Sequence, residues 1–494
     1  MPTPSVDIPV ALDPLRVARG LADRPGTLLL HTQRPWARYR RSALLFDPRW
    51  VLRQRAAEAP QWSGEVPSPS PPAHDTHQLV GELADLWPLH PKPRAHFTGL
   101  AGFLGFELGR ARLGLPAAAA PPFQCPDAWI GAFDLALVFG PGEAPHLIVS
   151  DLHPLVPRRK QTGGELGDDS RAIALLLHAR AEQALVLMEE AHTRAFLESS
   201  PARRSSAAAP PGVHELQFFD ERWHARAVEN VKRHLRAGDV YQVNLTGMAT
   251  ARSNISPFEA FLDQGRRNPV PFAAYLNTGE ETICSHSPEL LLGLEGDWAE
   301  TAPIKGTASQ APGDFATLLR SPKDRAEHLM IVDLCRNDLG MSANYGTVKV
   351  AEFMAPLRLH HLVHMVSRIE GRVPRARRPR LLGDLFPGGS VTGAPKRRAI
   401  EIISQLETAA RGPYTGSLGF FDRNGRGVWN IAIRSAVWQG GRVSFGCGGG
   451  IVLDSDPARE YEEAVLKACS FFDTLNALSA PDRGARPAAQ QGAT

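Results

Sequence analysis

Cysteine is scarce in this chain, and long apolar runs are absent. Of 494 residues only five are cysteine, an odd number, and they lie apart without the paired spacing of disulfide frameworks or metal sites. No hydrophobic stretch is long enough to span a bilayer, and the amino terminus lacks the basic and then apolar pattern of a secretory signal. These absences predict a globular protein of the reducing cytoplasm with no membrane partner.

A strong charge of one sign is also missing. Lysine and arginine total 55 against 52 aspartates and glutamates, which gives a net charge of +3. Such a balance gives no case for a nucleic-acid partner. The arginine-rich stretch 375–380 is better explained as a solvated loop than as a binding patch.

Two ordered blocks are separated by a stretch of low complexity. We assign residues 1–160 to an N-terminal region, 161–214 to a low-complexity linker, 215–480 to the block that carries the candidate site, and 481–494 to a disordered tail. The end of the linker, at 199–210, is rich in serine, alanine and proline. Such a composition cannot bury enough apolar surface to order itself.

The second block predicts the fold class. Strand-like runs follow one another at hairpin spacing over 271–277, 281–286, 290–294 and 298–304, which is typical of an antiparallel sheet and not of a parallel nucleotide-binding sheet. Helical patterns precede and follow them. We therefore predict an α+β protein, with antiparallel β-sheets forming a core that helices flank.

Lys305 is a lone cation in the small and apolar stretch 301–307. A lysine in a dry setting loses part of its preference for the charged form, so its pKa falls and its amine becomes available as a nucleophile. The alternative is a surface lysine whose charged end reaches water beside a turn. The residues alone leave both interpretations open.

Two predicted helices each carry an acidic pair with a spacing of three residues, which places both carboxylates on one face. One pair is Asp324 and Glu327, and the other is Glu460 and Glu463. Four carboxylates from two helices could hold a hard cation that keeps open water positions, as magnesium prefers. The alternative is two solvated acidic faces.

Two glycine-rich segments suggest anion sites. The run 388–396 lacks the lysine and hydroxyl residue that directly follow the last glycine of a phosphate loop, but its free amides and the Thr392 hydroxyl suit a carboxylate. The second cluster, 446–450, follows a strand that carries Arg434, whose guanidinium also suits a carboxylate. Tyr414 precedes that strand. Each glycine cluster alone is more often a turn.

Taken together, these segments resemble the chorismate-utilising enzymes over about residues 218–478, and residues 97–107 resemble the N-terminal half of the same fold more weakly. The segments that carry the resemblance are 238–245, 287–289, 303–307, 327–338, 386–396, 431–434 and 460–463. The resemblance implies an anthranilate-synthase-like fold and makes 215–480 the chorismate-binding catalytic domain.

The resemblance also implies roles for the site residues. Members that add water to the substrate ring carry a lysine base where this chain has Gln242, and members that make anthranilate usually carry a small residue at position 305. Lysine at 305 is typical of the branch that makes 4-amino-4-deoxychorismate for para-aminobenzoate and folate synthesis. The remaining alternatives are an anthranilate synthase component and a non-catalytic chorismate-binding subunit.

In this reading, Lys305 attacks C2 of chorismate and Glu289 is the general acid and base. His364, which the residues alone place in the core, matches a family histidine near the leaving hydroxyl. Mg2+ is expected on Glu327 and Glu463, with Asp324 and Glu460 beside them. The expected ligands of the substrate carboxylates are Thr392, Tyr414, Arg434, Gly448, Gly449 and Gly450, with Gln242 nearby.

Partners follow from what the chain lacks relative to the family. No segment resembles an amidotransferase domain with its catalytic cysteine, and no lyase domain is recognisable after residue 478. We therefore expect a separate glutamine amidotransferase subunit to supply ammonia and a separate aminodeoxychorismate lyase to act downstream. Two departures from the family are the sequence 308–310, which lacks a common arginine, and 28–32, which lacks the motif of tryptophan-binding members.

Overall fold

The computed structural model describes residues 5–55, 58–66, 76–86, 97–115, 124–152, 170–198, 212–360 and 362–479. Its helices are α1 (Pro14–Leu21), α2 (Thr76–Ala84), α3 (Phe106–Arg112), α4 (Ser170–Glu198), α5 (Glu221–Ala237), α6 (Pro257–Arg267), α7 (Asp314–Arg320), α8 (Pro322–Ser342), α9 (Arg378–Leu385), α10 (Lys396–Leu406) and α11 (Pro457–Ser479). Short 3-10 turns cover Arg375–Arg377 and Gly389–Val391.

The strands of the first half are β1 (Ser5–Pro9), β2 (Thr27–His31), β3 (Ser42–Leu45), β4 (Trp50–Gln54), β5 (Gln61–Gly64), β6 (Gly99–Leu104), β7 (Ala128–Phe133), β8 (Leu135–Gly140), β9 (Glu143–Ser150), β10 (Val213–Gln217) and β11 (Gln242–Ser253). Those of the second half are β12 (Phe272–Asn277), β13 (Thr282–Ser287), β14 (Leu290–Glu295), β15 (Trp298–Ala302), β16 (Ile304–Ser309), β17 (Lys349–Arg358), β18 (Leu362–Arg372), β19 (Gly393–Ala394), β20 (Ser417–Asp422), β21 (Arg426–Asn430), β22 (Ser435–Gln439) and β23 (Arg442–Ile451).

Two large sheets form the core of the described chain. The 12-stranded sheet has the order β1-β9-β8-β3-β2-β12-β13-β22-β23-β11-β10, and β19 pairs with β11 outside this path. The 11-stranded sheet has the order β16-β18-β15-β14-β21-β20-β6-β7-β4-β5, and β17 pairs with β18. Every strand pair described is antiparallel. The prediction of an α+β fold with antiparallel sheets flanked by helices is confirmed.

Both sheets combine strands from the two predicted blocks. In the first sheet β2 pairs with β12, and Leu29 lies opposite Tyr275. In the second sheet β6 pairs with β20, and Gly102 lies opposite Gly419. The large buried clusters between the layers also draw on both blocks. The predicted boundary between 1–160 and 215–480 therefore does not divide the sheets or the core.

The predicted linker contains a long helix, which corrects the interpretation of 161–214 as low-complexity throughout. Helix α4 packs against α1. Its buried face carries Ile173, Leu177, Ala184 and Met188, which recur at helical spacing and join the first core cluster. That periodic apolar face was overlooked because the neighbouring 199–210 stretch dominated the composition of the segment. The stretch 199–210 and the predicted tail 481–494 lie outside the described residues.

Across the described parts of the chain, no helix combines the length and the apolar character that a membrane span requires.

Candidate functional site

Lys305 lies near the start of β16, at the edge of the second sheet. It pairs with Met365 of β18, and the register shifts by one residue between Lys305 and Thr307. Gly306 makes this bulge possible because its φ is +70° and a Cβ there would lie 2.7 Å from the Met365 methyl carbon. The lysine side chain is half-buried, and its Nζ donates to the carbonyl oxygen of Ser390 at 3.2 Å.

Glu289 is the carboxylic acid whose charge acts most strongly on Lys305. Its side chain is 3% exposed, and its Oε1 accepts a hydrogen bond from the backbone N–H of Ile304 at 3.3 Å. Burial raises the pKa of Glu289, opposed by the Ser390 hydroxyl and the Lys305 charge. Burial likewise lowers the pKa of Lys305, opposed by the charges of Glu289 and Glu327. Desolvation thus favours the neutral form of both groups.

His364 lies in β18 against the bulge. Its Nδ1 is 3.2 Å from the Gly306 carbonyl oxygen and 3.0 Å from the Thr307 hydroxyl. Burial lowers the pKa of this histidine to about 4, so it is neutral near pH 7. With the proton assigned to Nδ1, which donates to the Gly306 carbonyl, Nε2 is an acceptor. That Nε2 is buried and has no hydrogen-bond partner among the described residues.

Carboxylates of the two acidic helices act on Lys305 and on one another through their charges. Glu327 on α8 and Glu460 on α11 are both half-buried, and each has its pKa raised by burial, opposed by nearby lysines and the Ser455 hydroxyl. The charges of Asp324 and Glu460 add to the shift of Glu327, and the charge of Glu463 adds to that of Glu460. Like charges within interaction distance raise the pKa of one another, and a bound cation would relieve that repulsion. The two acidic faces are therefore electrostatically coupled, and the cation site stays a prediction.

The carboxylate oxygens are ligands of the kind that a divalent cation binds, but they are not already arranged around one point. Among the residues that the structure describes, no group of three or more histidine, cysteine or acidic side chains is already arranged around one point. The Glu463 carboxylate is instead paired with Lys467 at 2.8 Å, and the Lys467 amine also donates to the Gly448 carbonyl at 2.8 Å. The donors are hard oxygen ligands on two helices, which suits magnesium with several waters.

The glycine-rich run 388–396 forms a loop over Glu289, but Thr392 is not free to bind a ligand through its proton. The hydroxyl of Thr392 donates to the Gly388 carbonyl at 3.0 Å and lies 3.3 Å from the Gly389 carbonyl. The amides of Val391 and Thr392 also donate within the loop, to the carbonyls of Gly388 and Gly389. The predicted role of Thr392 as a carboxylate ligand therefore stays a prediction.

Arg434 has the features of an anion receptor. Its φ of +51° places a bulky residue in the left-handed region, and burial lowers the pKa of its guanidinium. Within the described ranges its guanidinium has no hydrogen-bond or ion-pair partner. Tyr414 is buried, and its ring occupies the space that a Cβ on Gly446 would need, so the glycine there permits the contact.

The second glycine cluster is a strand and not a turn. Residues Gly448, Gly449 and Gly450 lie in β23, opposite Thr246, Leu245 and Asn244 of β11. A Cβ on Gly450 would lie 2.7 Å from the side-chain nitrogen of Gln242, and one on Gly449 would lie 3.2 Å from Oε2 of Glu460. The strand formed by these glycines is the floor of the site, and their lack of side chains lets the Gln242 amide and the Glu460 carboxylate approach its backbone closely.

Gln242 begins β11 and is fully buried, with 0% exposure. Neither its amide oxygen nor its amide nitrogen has a hydrogen-bond partner in the described part of the chain. A buried amide with two unsatisfied ends is costly. This cost is consistent with the predicted substrate contact.

Ser390 was missed in the sequence. Its carbonyl accepts a hydrogen bond from the Lys305 amine, and its hydroxyl opposes the rise in the pKa of Glu289, so Ser390 bears on both central groups. The only available signal was its place in the glycine-rich run, where attention fell on Thr392. The backbone chemistry of Ser390 cannot be read from its identity.

A separate cavity of about 370 Å³ lies away from these residues. Its walls include His31, Thr32, Arg38 and Phe272, and burial lowers the pKa of His31 to about 4. None of the predicted site residues lines it. We therefore place the candidate site by its chemistry and not by cavity size.

The chain is similar to known proteins over most of its length. The family model of the chorismate binding enzymes matches residues 27–473. The chain is 33% identical over 384 residues to an aminodeoxychorismate synthase component 1 of Bacillus subtilis, covering 76% of this chain and 77% of the relative. It is 32% identical over 471 residues to one of Klebsiella aerogenes, covering 93% and 94%.

Anthranilate synthases are also similar. An anthranilate synthase component 1 of Haloarcula marismortui is 34% identical over 386 residues, covering 76% of each chain. The solved anthranilate synthase component I of Streptococcus pneumoniae superposes with a TM-score of 0.71 at 24% identity, covering 89% of this chain and 93% of that chain. The likeness of the solved structure confirms the predicted fold.

Proposed function

The chain belongs to the chorismate-binding enzymes, and we propose that it is the chorismate-converting component of an aminodeoxychorismate synthase. Its reaction is chorismate plus ammonia to 4-amino-4-deoxychorismate plus water. The observation that carries this proposal is the desolvated Lys305 amine beside the desolvated Glu289 carboxyl. The relatives that bear this name at 32–33% identity support it.

In the first step the neutral Lys305 amine attacks C2 of chorismate. The two ring double bonds shift, and the C4–O bond breaks. Glu289 gives its proton to the departing hydroxyl, which leaves as water, and the new C2–N bond carries the positive charge. His364 accepts a hydrogen bond at its free Nε2 and helps to hold the hydroxyl in place.

In the second step ammonia adds at C4 and the ring double bonds shift back. The C2–N bond breaks and its electron pair returns to Lys305 as a neutral amine. The new C4 ammonium gives a proton to the Glu289 carboxylate, so Glu289 regains the acid form with which it began. Atoms and charge balance without a further reactant.

The pKa shifts explain how both groups are ready at once. The reaction needs a neutral lysine and a protonated glutamic acid, the reverse of their usual states in water. Burial moves both pKa values in the required direction. Each unit by which they approach raises the reactive fraction about tenfold, so the dry setting supplies rate directly.

The substrate carboxylates have distinct candidate receptors. Arg434 and Tyr414 are assigned to the enolpyruvyl carboxylate, because the guanidinium has no partner among the residues that the structure describes and arginine suits a bidentate anion. The amides of Gly448, Gly449 and Gly450 line the same floor. The loop around Thr392 is assigned to the ring carboxylate.

Mg2+ is proposed as the cofactor, held by Glu327 and Glu463 with Asp324 and Glu460 supporting. When bound, it would polarise the ring carboxylate as a Lewis acid. Lys467 must leave Glu463 for this to happen. Burial, and after it the charges of neighbouring carboxylates, raises the pKa of Glu327 and of Glu460, which supports the assignment.

A glutamine amidotransferase subunit is the proposed source of ammonia, which the name component 1 of the relatives supports. A separate lyase would then convert the product to para-aminobenzoate for folate synthesis in the cytoplasm. Adding the amidotransferase subunit should make glutamine as effective a nitrogen source as ammonium salt.

Product identity tests the function. The protein is incubated with chorismate, magnesium and ammonium salt, and the products are identified by liquid chromatography and mass spectrometry. We expect 4-amino-4-deoxychorismate, and none from a Lys305→Ala control. Anthranilate as the main product would contradict the proposal and favour the anthranilate synthase relatives; chorismate binding without turnover would favour a non-catalytic subunit.

A further inference from the structure

Arg411 is a buried arginine whose five N–H donors are all used. Its side chain is 1% exposed. Nε and Nη2 form a bidentate pair with Glu407 at 2.9 and 2.7 Å. Nη2 also donates to the Asn244 carbonyl at 2.7 Å, and Nη1 donates to the Val391 carbonyl at 2.8 Å and the Thr415 hydroxyl at 3.2 Å. A fully satisfied guanidinium fixes every group it contacts.

The N-terminal half of the chain holds the same residue from the other side. The buried Glu107 carboxylate accepts the backbone N–H groups of Arg411 and Gly412, both at 2.9 Å. The guanidinium carbon of Arg411 lies 4.3 Å from the centre of the Phe106 ring. The backbone and the side chain of Arg411 are therefore both fixed, by α3 and by the site loops.

Each segment that the guanidinium holds leads directly into a proposed substrate contact. Val391 precedes Thr392, Thr415 follows Tyr414, and Asn244 is the second residue after Gln242 in β11. These three segments are distant from one another in the sequence, but one rigid planar group sets the spacing of all three.

Glu407 extends this connection to the glycine floor. Its Oε1 accepts both the backbone N–H and the hydroxyl of Thr246 at 3.0 Å. Thr246 lies opposite Gly448 in the β11 and β23 pair. The Arg411 and Glu407 pair therefore contacts the segments that carry Gln242, Thr392 and Tyr414 and the strand opposite Gly448. Lys305 and Glu289 lie outside its direct contacts.

We propose that Arg411, with Glu407, is the positioning residue that sets the spacing between the two carboxylate-binding parts of the chorismate site. This inference rests on the proposed function for the identity of the ligand. Arg411 touches no reacting atom, so its loss should weaken ground-state and transition-state binding alike. Uniform loss of binding raises KM and leaves kcat nearly unchanged.

Arg411→Lys and Glu407→Gln test the proposal. Lysine keeps the charge but not the planar fork, so it cannot reach Glu407, Asn244 and Val391 together. Glutamine keeps the shape of Glu407 but not its charge. The matched control is Arg397→Lys: Arg397 pairs with Glu401 four residues away and donates to the Leu113 carbonyl at 3.0 Å, but it is exposed on α10.

Steady-state kinetics with chorismate, magnesium and ammonium give the main readout, and chorismate titration by intrinsic fluorescence gives Kd for the same variants. In Arg411→Lys and Glu407→Gln we expect KM and Kd for chorismate to rise at least about tenfold, while kcat stays within about threefold of the wild-type value. In Arg397→Lys we expect no change. Melting temperatures are recorded so that kinetics are compared well below unfolding.

A folded Arg411→Lys protein with wild-type KM and Kd, or a lower melting temperature with unchanged KM, would overturn the proposal. If Arg411→Lys does not fold, Glu407→Gln decides by the same criteria. Failure of the proposed function is distinguishable, because the KM and Kd ratios do not depend on which product forms. A protein that binds chorismate without turnover would contradict the function and still report the Kd ratio.

Discussion

Two combinations of a cation and a carboxylate contact the same loop of this fold, and they are built differently. Within the described residues, the Lys305 amine donates one hydrogen bond, to the Ser390 carbonyl, and the Glu289 carboxylate accepts one, from the backbone N–H of Ile304. Arg411 and Glu407 make a bidentate pair in which every arginine donor is used. Burial alone therefore does not decide what a pair does.

The difference lies in how much of the lost hydration is replaced. Few hydrogen bonds compensate Lys305 and Glu289 for their lost hydration. Burial therefore lowers the pKa of Lys305 and raises that of Glu289, which favours a neutral amine as nucleophile and a protonated carboxyl as acid. The Arg411 and Glu407 pair exchanges water for protein partners of ideal geometry, which rigidifies the surrounding segments. A pair with few hydrogen-bond partners is suited to chemistry, and a pair whose hydrogen-bonding groups are all satisfied by the protein is suited to positioning.

The largest expected effect is the loss of the nucleophile. Lys305→Ala should lower kcat by on the order of 10³-fold or more, because the covalent route is lost with the amine. Chorismate binding should persist, since Arg434 and the loops remain. Kinetics and fluorescence titration check both. Retention of more than a tenth of wild-type kcat would show that the lysine only steers the substrate.

Glu289→Gln should lower kcat by about 10²- to 10⁴-fold, the usual range for removing an acid and base. The wild-type profile of kcat/KM should be bell-shaped, because activity rises as Lys305 loses its proton and falls as Glu289 loses its own. Burial raises the pKa of Glu289 and lowers that of Lys305, so the two limbs of the profile should lie closer together than the pKa values of the two side chains in water. The variant should keep only the rise; a bell shape in the variant would mean that another group is the acid.

The two pairs should respond oppositely in stability. Arg411→Met should lower the free energy of unfolding by about 3 to 5 kcal/mol, because it leaves the Glu407 charge buried without its partner. Lys305→Met should leave it unchanged or raise it by about 1 kcal/mol, since a desolvated amine is removed from a functional site. Urea unfolding followed by circular dichroism measures both. Equal losses would erase the distinction.

Removing a metal ligand should have a smaller effect than removing the nucleophile. Glu327→Gln should raise the magnesium concentration for half-maximal activity by about 10- to 100-fold, while excess magnesium restores part of the activity. Asp333→Asn, on the same helix and exposed, is the control. Activity of the wild-type protein that is unaffected by a chelator would contradict a magnesium requirement.

An exposed pair completes the comparison. Lys467 and Glu463 are 46% and 62% exposed in their side chains, so Lys467→Met should change the free energy of unfolding by less than about 1 kcal/mol. It should lower the half-saturating magnesium concentration by a few fold, about the value of one surface pair, because Glu463 is then free. A higher magnesium requirement would mean that Lys467 assists the metal.

The sequence predicted the chemistry of the site better than its architecture. Lys305, Glu289 and the two acidic pairs were found because their motifs are local, and the structure brings them together. Arg411 was missed although it lies only three residues before Tyr414. Its partners Asn244, Val391 and Glu107 come near it only in the folded chain. The sharing of both sheets by the two halves of the chain, as in the β2 and β12 pair, is equally non-local.

Covalent trapping tests whether the Lys305 amine is the nucleophile that attacks chorismate. The protein is mixed with chorismate and magnesium without ammonia, quenched, and digested for mass spectrometry. We expect the peptide that contains Lys305 to gain the mass of chorismate less one water. Ammonium salt should then release the adduct from the lysine as 4-amino-4-deoxychorismate. An unmodified Lys305 in a preparation that forms this product with ammonia would contradict the lysine as nucleophile.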